Sequence, residues 1–159
     1  MTKFTRWLLT IFLLLLAALM IAVLIQEENR PKPGPNFRAH MNLGSFYDRA
    51  GKYKLAEHHY LIALTAPIFA NVNEKSRCWH NLGQIYSNVN KFTMGIICFK
   101  EALKLDPGEA KTMVSLAGLL ARQERFELAE RWLVASLRIE PNRKVAKELL
   151  MKLRKRRKK

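Results

Sequence analysis

The stretch Trp79-His80-Asn81-Leu82-Gly83-Gln84-Ile85-Tyr86, followed by Gly95, Phe99, Ala102 and Pro107, decides the fold, because its frame recurs. Thirty-four residues later the frame holds Met113, Leu116, Ala117, Leu120, Ala129, Leu133, Ser136 and Pro141. Upstream it holds Leu43, Gly44, Tyr47, Ala56, Tyr60 and Ala63, with Pro67 one residue early. Gly44 and Gly83 are 39 residues apart, so five extra residues fall in the connection around 67–75. A period of this size marks stacked supersecondary units.

Each unit reads as two helices. Leu82, Ile85, Tyr86 and Val89 recur at helical spacing on the first, and residues 88–91 form a turn. Ile96, Ile97, Phe99, Ala102 and Leu103 follow on the second. Small residues at Gly44/Ala56, Gly83/Gly95 and Ala117/Ala129 let the two backbones approach closely. Asp106-Pro107-Gly108 and Glu140-Pro141-Asn142 stop the second helices. One helix pair cannot cover its own apolar face, whereas three stacked pairs with a cap can. Val145, Ala146, Leu149, Leu150 and Leu153 share one face of a basic helix over 143–153, which is expected to pack on the third unit.

Residues 37–141 resemble the tetratricopeptide repeat (TPR) family, whose pattern is W-x2-L-G-x2-Y…A-x3-F…P. The middle copy is nearly complete, with Gly95 in the usual Ala place; His40 replaces Trp in the first, and Ala117 and Leu120 replace Gly and Tyr in the third. The resemblance implies an all-α, helix-turn-helix solenoid with repeats at about 37–70, 76–109 and 110–143 and a C-terminal capping helix. It also implies that the first helices line a concave groove for an extended peptide or a partner helix. The groove positions map onto Arg38, Met41, Ser45 and Arg49, then Arg77, His80, Asn81 and Gln84, then Lys111, Val114, Gly118 and Arg122. Five of these are basic and none is acidic, which favours an acidic segment or a free carboxylate. One co-chaperone subfamily clamps a C-terminal carboxylate with Lys and Asn residues. Asn81 and Lys111 match that pattern, but Met41, Ser45 and Ser115 depart from it, so such a clamp is not expected.

Ahead of the repeats, residues 7–25 contain a single polar side chain, Thr10. A helix of that length spans roughly 28 Å at about 1.5 Å per residue, close to a bilayer core of roughly 30 Å. Residues 1–6 form a basic flank with Lys3 and Arg6, and Glu27 and Glu28 follow the span. The run is longer than a signal-peptide core and no small-x-small site follows it, so a retained, separate transmembrane helix is expected. Positive-inside logic keeps the N-terminus cytoplasmic and exports the repeats. Arg30, Lys32 and Arg38 argue for the reverse orientation, and an organellar membrane would require the rule to be restated. Pro31, Pro33 and Pro35 make 26–36 a semi-rigid linker holding the soluble part near the membrane.

The chain has 159 residues and a formal charge of +15, unevenly spread. Residues 37–141 carry a net +4, whereas 142–159 carry ten basic side chains and one acidic. The pI near 10.2 thus reflects a mildly basic body and a polybasic tail: Lys152, Arg154, Lys155, Arg156, Arg157, Lys158 and Lys159. So dense a run of like charge should fray in free solution, and it could meet anionic lipid, acidic protein or RNA. It has no aromatics for base stacking.

Catalytic chemistry has no foothold. There is no Gly-rich phosphate loop, H-E-x-x-H or G-x-S-x-G. His58 and His59 are adjacent and cannot serve as i,i+4 zinc ligands, and Cys78-Trp79-His80 is too short for a metal site. No cofactor is expected. Cys78 and Cys98 read as buried packing thiols; a disulfide is the alternative if the domain is exported. The expected function is a membrane-anchored adaptor or scaffold, not an enzyme, binding protein partners during assembly of a multiprotein membrane complex. The alternatives are a stoichiometric structural subunit, or an RNA-, ribosome- or anionic-lipid-associated factor acting through the tail.

Overall fold

The computed structural model describes residues 16, 19–21, 36–66 and 71–157. The chain divides into two units, Met1–Gly34 and Pro35–Lys159. In the first, Leu16, Leu19, Met20 and Ile21 are helical and exposed. No helix among the described residues is long and apolar enough to cross a membrane. Apart from those four residues and Asn36, the basic flank, the apolar span 7–25 and the linker 26–36 lie outside the described residues.

Among its described residues the second unit contains seven helices and no strand. They are α1 (Phe37–Arg49), α2 (Tyr53–Thr65), α3 (Val72–Asn88), α4 (Phe92–Leu105), α5 (Ala110–Arg122), α6 (Phe126–Ile139) and α7 (Lys144–Arg157). Three hairpins, α1–α2, α3–α4 and α5–α6, stack in chain order, and α7 packs on α6 and α5. This is the all-α helix-turn-helix solenoid that the resemblance implied.

The repeat is visible in the backbone of the hairpin turns. Gly51, Asn90 and Glu124 occupy equivalent positions, with φ of 70°, 60° and 58°. At each turn the next amide closes a six-to-one bond: Lys52 to Tyr47, Lys91 to Tyr86, and Arg125 to Leu120, at 2.8–2.9 Å. This is the Schellman ending, which satisfies the last helical carbonyls through one left-handed residue.

Glycine and ring size are matched across each hairpin. A Cβ on Gly44 would lie 2.7 Å from the Tyr60 ring, and one on Gly83 2.7 Å from Phe99. The third hairpin has Leu133 in place of a ring, and Ala117 occupies the glycine position with no exposed surface. A buried serine stitches the later hairpins. Ser76 Oγ donates to the Ala102 carbonyl at 3.0 Å, and Ser136 Oγ to the Ala110 carbonyl at 3.2 Å. Ser76 corresponds to Ala110 and Ala102 to Ser136 in the frame, so the serine has changed helices while the bond stays in place.

Three details differ from the sequence reading. The five-residue insertion is not all loop: α3 has 17 residues against 13 in α1 and α5, so Val72–Lys75 add a helical turn. Asn71 stabilises that early start through a capping box with Glu74, the Glu74 amide donating to Asn71 Oδ1 at 2.7 Å. Residues 67–70 lie outside the described residues. Ile97 and Val89, placed on apolar stripes, are exposed at 47% and 37%. Neighbouring helical residues diverge by about 100°, so Ile96 and Ile97 cannot both face inward, and Val89 is already the cap. Finally, the helix continues past Leu153 into the basic tail, and α7 runs to Arg157. Leu153 is buried against the third hairpin, and Arg154 Nε lies 2.8 Å from Glu130 Oε1. Lys158 and Lys159 lie outside the described residues.

Candidate partner-binding surface

The stack has two layers. The first helices touch one another, α1 with α3, α3 with α5, and α5 with α7. The second helices α2, α4 and α6 make no such contacts among the described residues. The first helices therefore form the tighter, inner layer, and α7 takes the place of a fourth member. All groove positions named from the sequence lie on α1, α3 and α5.

The residues on that layer play unequal parts. Arg49, Arg77, Lys111 and Arg122 are exposed. Arg38 is also exposed, but its Nε sits 2.9 Å from Glu74 Oε1, an ion pair between successive repeats that offsets its charge. Asn81 and Gln84 are half-buried and act as bridges: Asn81 Nδ2 donates to Tyr60 Oη at 3.2 Å, and Gln84 Nε2 to Ser115 Oγ at 3.1 Å. Met41 and Ser45 are half-buried. Arg122 is steadied by the Phe92 ring, 5.4 Å from its guanidinium carbon.

His80 and Val114 do not offer an open surface. They are buried at 6% and 9% exposure, within the contact between the second and third repeats. His80 Nδ1 is 2.8 Å from Thr112 Oγ1, its ring leans on Phe99, and its Nε2 has no partner among the described residues. Burial, with a smaller push from the Lys111 charge, lowers its pKa to about 4. His80 is thus a neutral packing residue at neutral pH.

The sequence reading missed one wall of this surface. A cavity of about 660 Å³ lies between α5 and α7. Gly118, Ala121 and Arg122 line it from α5, and Leu149, Lys152, Leu153, Lys155 and Arg156 from α7. Packing of this helix on the third hairpin was expected from Leu149, Leu150 and Leu153, but the cleft it leaves against α5, edged by Lys152, Lys155 and Arg156, was not. A second missed arrangement joins α1 to α2. His40 Nδ1 and His59 Nδ1 share a hydrogen bond at 3.0 Å, and the Tyr47 ring stacks on His59.

Among the described residues, no three His, Cys, Asp or Glu side chains converge as metal ligands. Cys78 and Cys98 are both buried and free, and burial pushes each thiol up to about 12. Neither is a nucleophile at neutral pH.

Comparison with known proteins agrees with this geometry. Residues 76–109 match the family model described as tetratricopeptide repeat. No curated protein sequence matches the chain. Among solved structures, the first TPR of Spaghetti (RPAP3) bound to the HSP90 peptide SRMEEVD is 20% identical, with a TM-score of 0.71 over 77% of this chain and 94% of that one. The Arabidopsis OM64 TPR domain is 18% identical, with a TM-score of 0.69 over 76% and 95%. The second TPR domain of human RPAP3, in complex with the HSP70 peptide SGPTIEEVD, is 21% identical, with a TM-score of 0.65 over 72% and 92%. The helical unit therefore has the TPR fold, with a recognisable repeat at its centre.

Proposed function

We propose that this chain is a protein-interaction adaptor whose inner helical layer holds an acidic, extended segment of a partner. The observation that carries the reading is the excess of exposed cations on three successive first helices, Arg77 and Lys111 near the helix starts and Arg49 and Arg122 near the ends, against Glu74, already paired with Arg38, and the half-buried Asp48. Two of the structural neighbours hold chaperone peptides with acidic ends, SRMEEVD and SGPTIEEVD, which supports a peptide-binding use of this fold. The terminal-carboxylate clamp does not carry over, since Met41 and Ser45 stand where it needs Lys and Asn, and Ser115 is engaged by Gln84. The partner is thus an acidic stretch read along its side chains, by binding rather than catalysis. The apolar run at 7–25 supports a further part of the proposal: a membrane anchor, with the repeats exported, keeps the adaptor beside clients of a multiprotein membrane complex.

The test uses the full-length chain in detergent and two labelled acidic peptides of the same sequence, one with a free C-terminus and one amidated. Both should bind alike, and the double variant Arg77→Glu/Lys111→Glu should lose at least about tenfold in affinity with helicity unchanged. Unchanged binding by the double variant, or strict dependence on the free carboxylate, would contradict the reading.

A further inference from the structure

The α5–α7 cavity differs from the rest of the inner layer because it joins apolar depth to a cationic edge. Leu153 is buried, and Leu149, Ala121 and Gly118 are half-buried, so these four form the floor. Arg122, Lys152, Lys155 and Arg156 are exposed and form the edge, contributed by both helices. At about 660 Å³ the space falls within the roughly 300–1,000 Å³ typical of ligand sites. A Cβ built on Gly118 meets nothing within 4 Å, so the space beside this lining residue is open.

Such a cavity selects its occupant by charge and by shape. Four cations with no carboxylate in the lining require a negative ligand. The floor gains only from apolar surface, which a phosphate or a bare acidic run does not supply. The lining has no aromatic ring on which a nucleobase could stack. A bilayer surface meets convex faces, whereas these cations stand on two helices with the apolar floor between them. What satisfies both features is a polypeptide segment with bulky apolar side chains among carboxylates.

We infer that the α5–α7 cleft docks an acidic polypeptide segment that inserts apolar side chains between the helices. Lys152, Lys155 and Arg156 are then one wall of the binding surface, not a detached basic tag. The class of partner rests on the proposed adaptor function; the location and the need for an apolar anchor go beyond it.

The probe is a short peptide, acetylated and amidated, with two leucines one helical turn apart among glutamates, titrated into the full-length chain in detergent. A Cβ at Gly118 meets nothing within 4 Å and helix propensity favours leucine over glycine, so Gly118→Leu should occupy the cleft with the fold retained. It should weaken the probe at least tenfold, with no fall in the thermal midpoint. Lys155→Glu/Arg156→Glu alters only exposed side chains and should do the same. Changing both probe leucines to serine should also cost at least tenfold. Equal binding of the serine probe, or unchanged binding by Gly118→Leu and by the charge-reversed pair, would overturn the inference. If Arg77→Glu/Lys111→Glu weakens acidic peptides while Gly118→Leu does not, the adaptor reading stands and the cleft fails. If neither matters, both fail. Displacement of the probe by phosphatidylserine vesicles or by single-stranded RNA, through a contact that Gly118→Leu abolishes, would replace the polypeptide by those ligands and overturn the assignment.

Discussion

Gly83 and Phe99 show how one atom sets a hairpin. A methyl on Gly83 would enter the Phe99 ring, which is buried and has nowhere to retreat. Gly83→Ala should therefore destabilise the fold by about 1–3 kcal/mol in urea melts, the range for overpacking. The third repeat already contains the compensated pair, Ala117 with Leu133. Combining Gly83→Ala with Phe99→Leu should thus cost clearly less than the sum of the two single changes, and strict additivity would refute the steric account. The pairing of small residues was legible in the sequence, because glycine and alanine keep their places in the frame. The ring that enforces it lies sixteen residues away, and only the packed hairpin brings the two together. His80 makes the same point. Its place on a first helix resembled a groove position, but the extra contact with Thr112 draws it inside. Its folded pKa of about 4 lies below the ordinary 6.5, so the folded state resists protonation. Stability should be intact above pH 6.5, fall as pH drops from 6.5 towards 4, and lose up to about 3 kcal/mol relative to a His80→Gln variant. His59, lowered by burial and by neighbouring His40 and His58, adds slope of the same sign. A pH profile of wild type parallel to that of His80→Gln would contradict this assignment.

At the scale of elements, the helices and most of their ends were legible, including the turn at 88–91 and the stops before Pro107 and Pro141, whereas the start of α3 and the end of α7 were not. Apolar spacing located every hairpin, yet the insertion before the second repeat was read as connection. Helix α3 instead starts a turn early because Asn71 and Glu74 cap each other. Asn71→Ala removes the acceptor for the Glu74 amide and should cost about 1 kcal/mol, with fraying confined to Val72–Lys75 in hydrogen exchange. Protection lost throughout α3 would show that the cap does more than start the helix. The C-terminal cap packs on the third hairpin as its apolar face predicted, and only its length beyond Leu153 differs from the reading. Charge density alone argues for fraying, but Leu149, Leu150 and Leu153 sit on the face that meets the third hairpin, and tertiary contact outweighs like-charge repulsion. A one-dimensional charge count cannot see that Lys152, Lys155 and Arg156 face another helix across a cleft.

For the whole molecule, the sequence carries the architecture because every repeat reports the same constraints. The left-handed turn residue recurs in all three hairpins, and the glycine–ring pair and the buried serine bond each recur in two. The candidate surface was legible as an excess of cations on the first helices, and partly masked because the sequence does not say which polar groups are already engaged. Arg38 is offset by Glu74, Asn81 and Gln84 bond across repeats, and His80 and Val114 are buried. What remains exposed and, among the described residues, without a carboxylate partner in an ion pair is Arg49, Arg77, Lys111, Arg122 and the cations of the α7 wall. The most direct test of this surface is site-specific photocrosslinking of the full-length chain in its native membranes. The crosslinker would replace Gln84 or Lys111 on the inner layer, or Lys54 or Lys100 on the second helices. Inner positions should give a discrete protein adduct whose crosslinked segment is acidic, and the outer positions should not. Equal adducts from both layers, or inner adducts to lipid or RNA alone, would contradict the account.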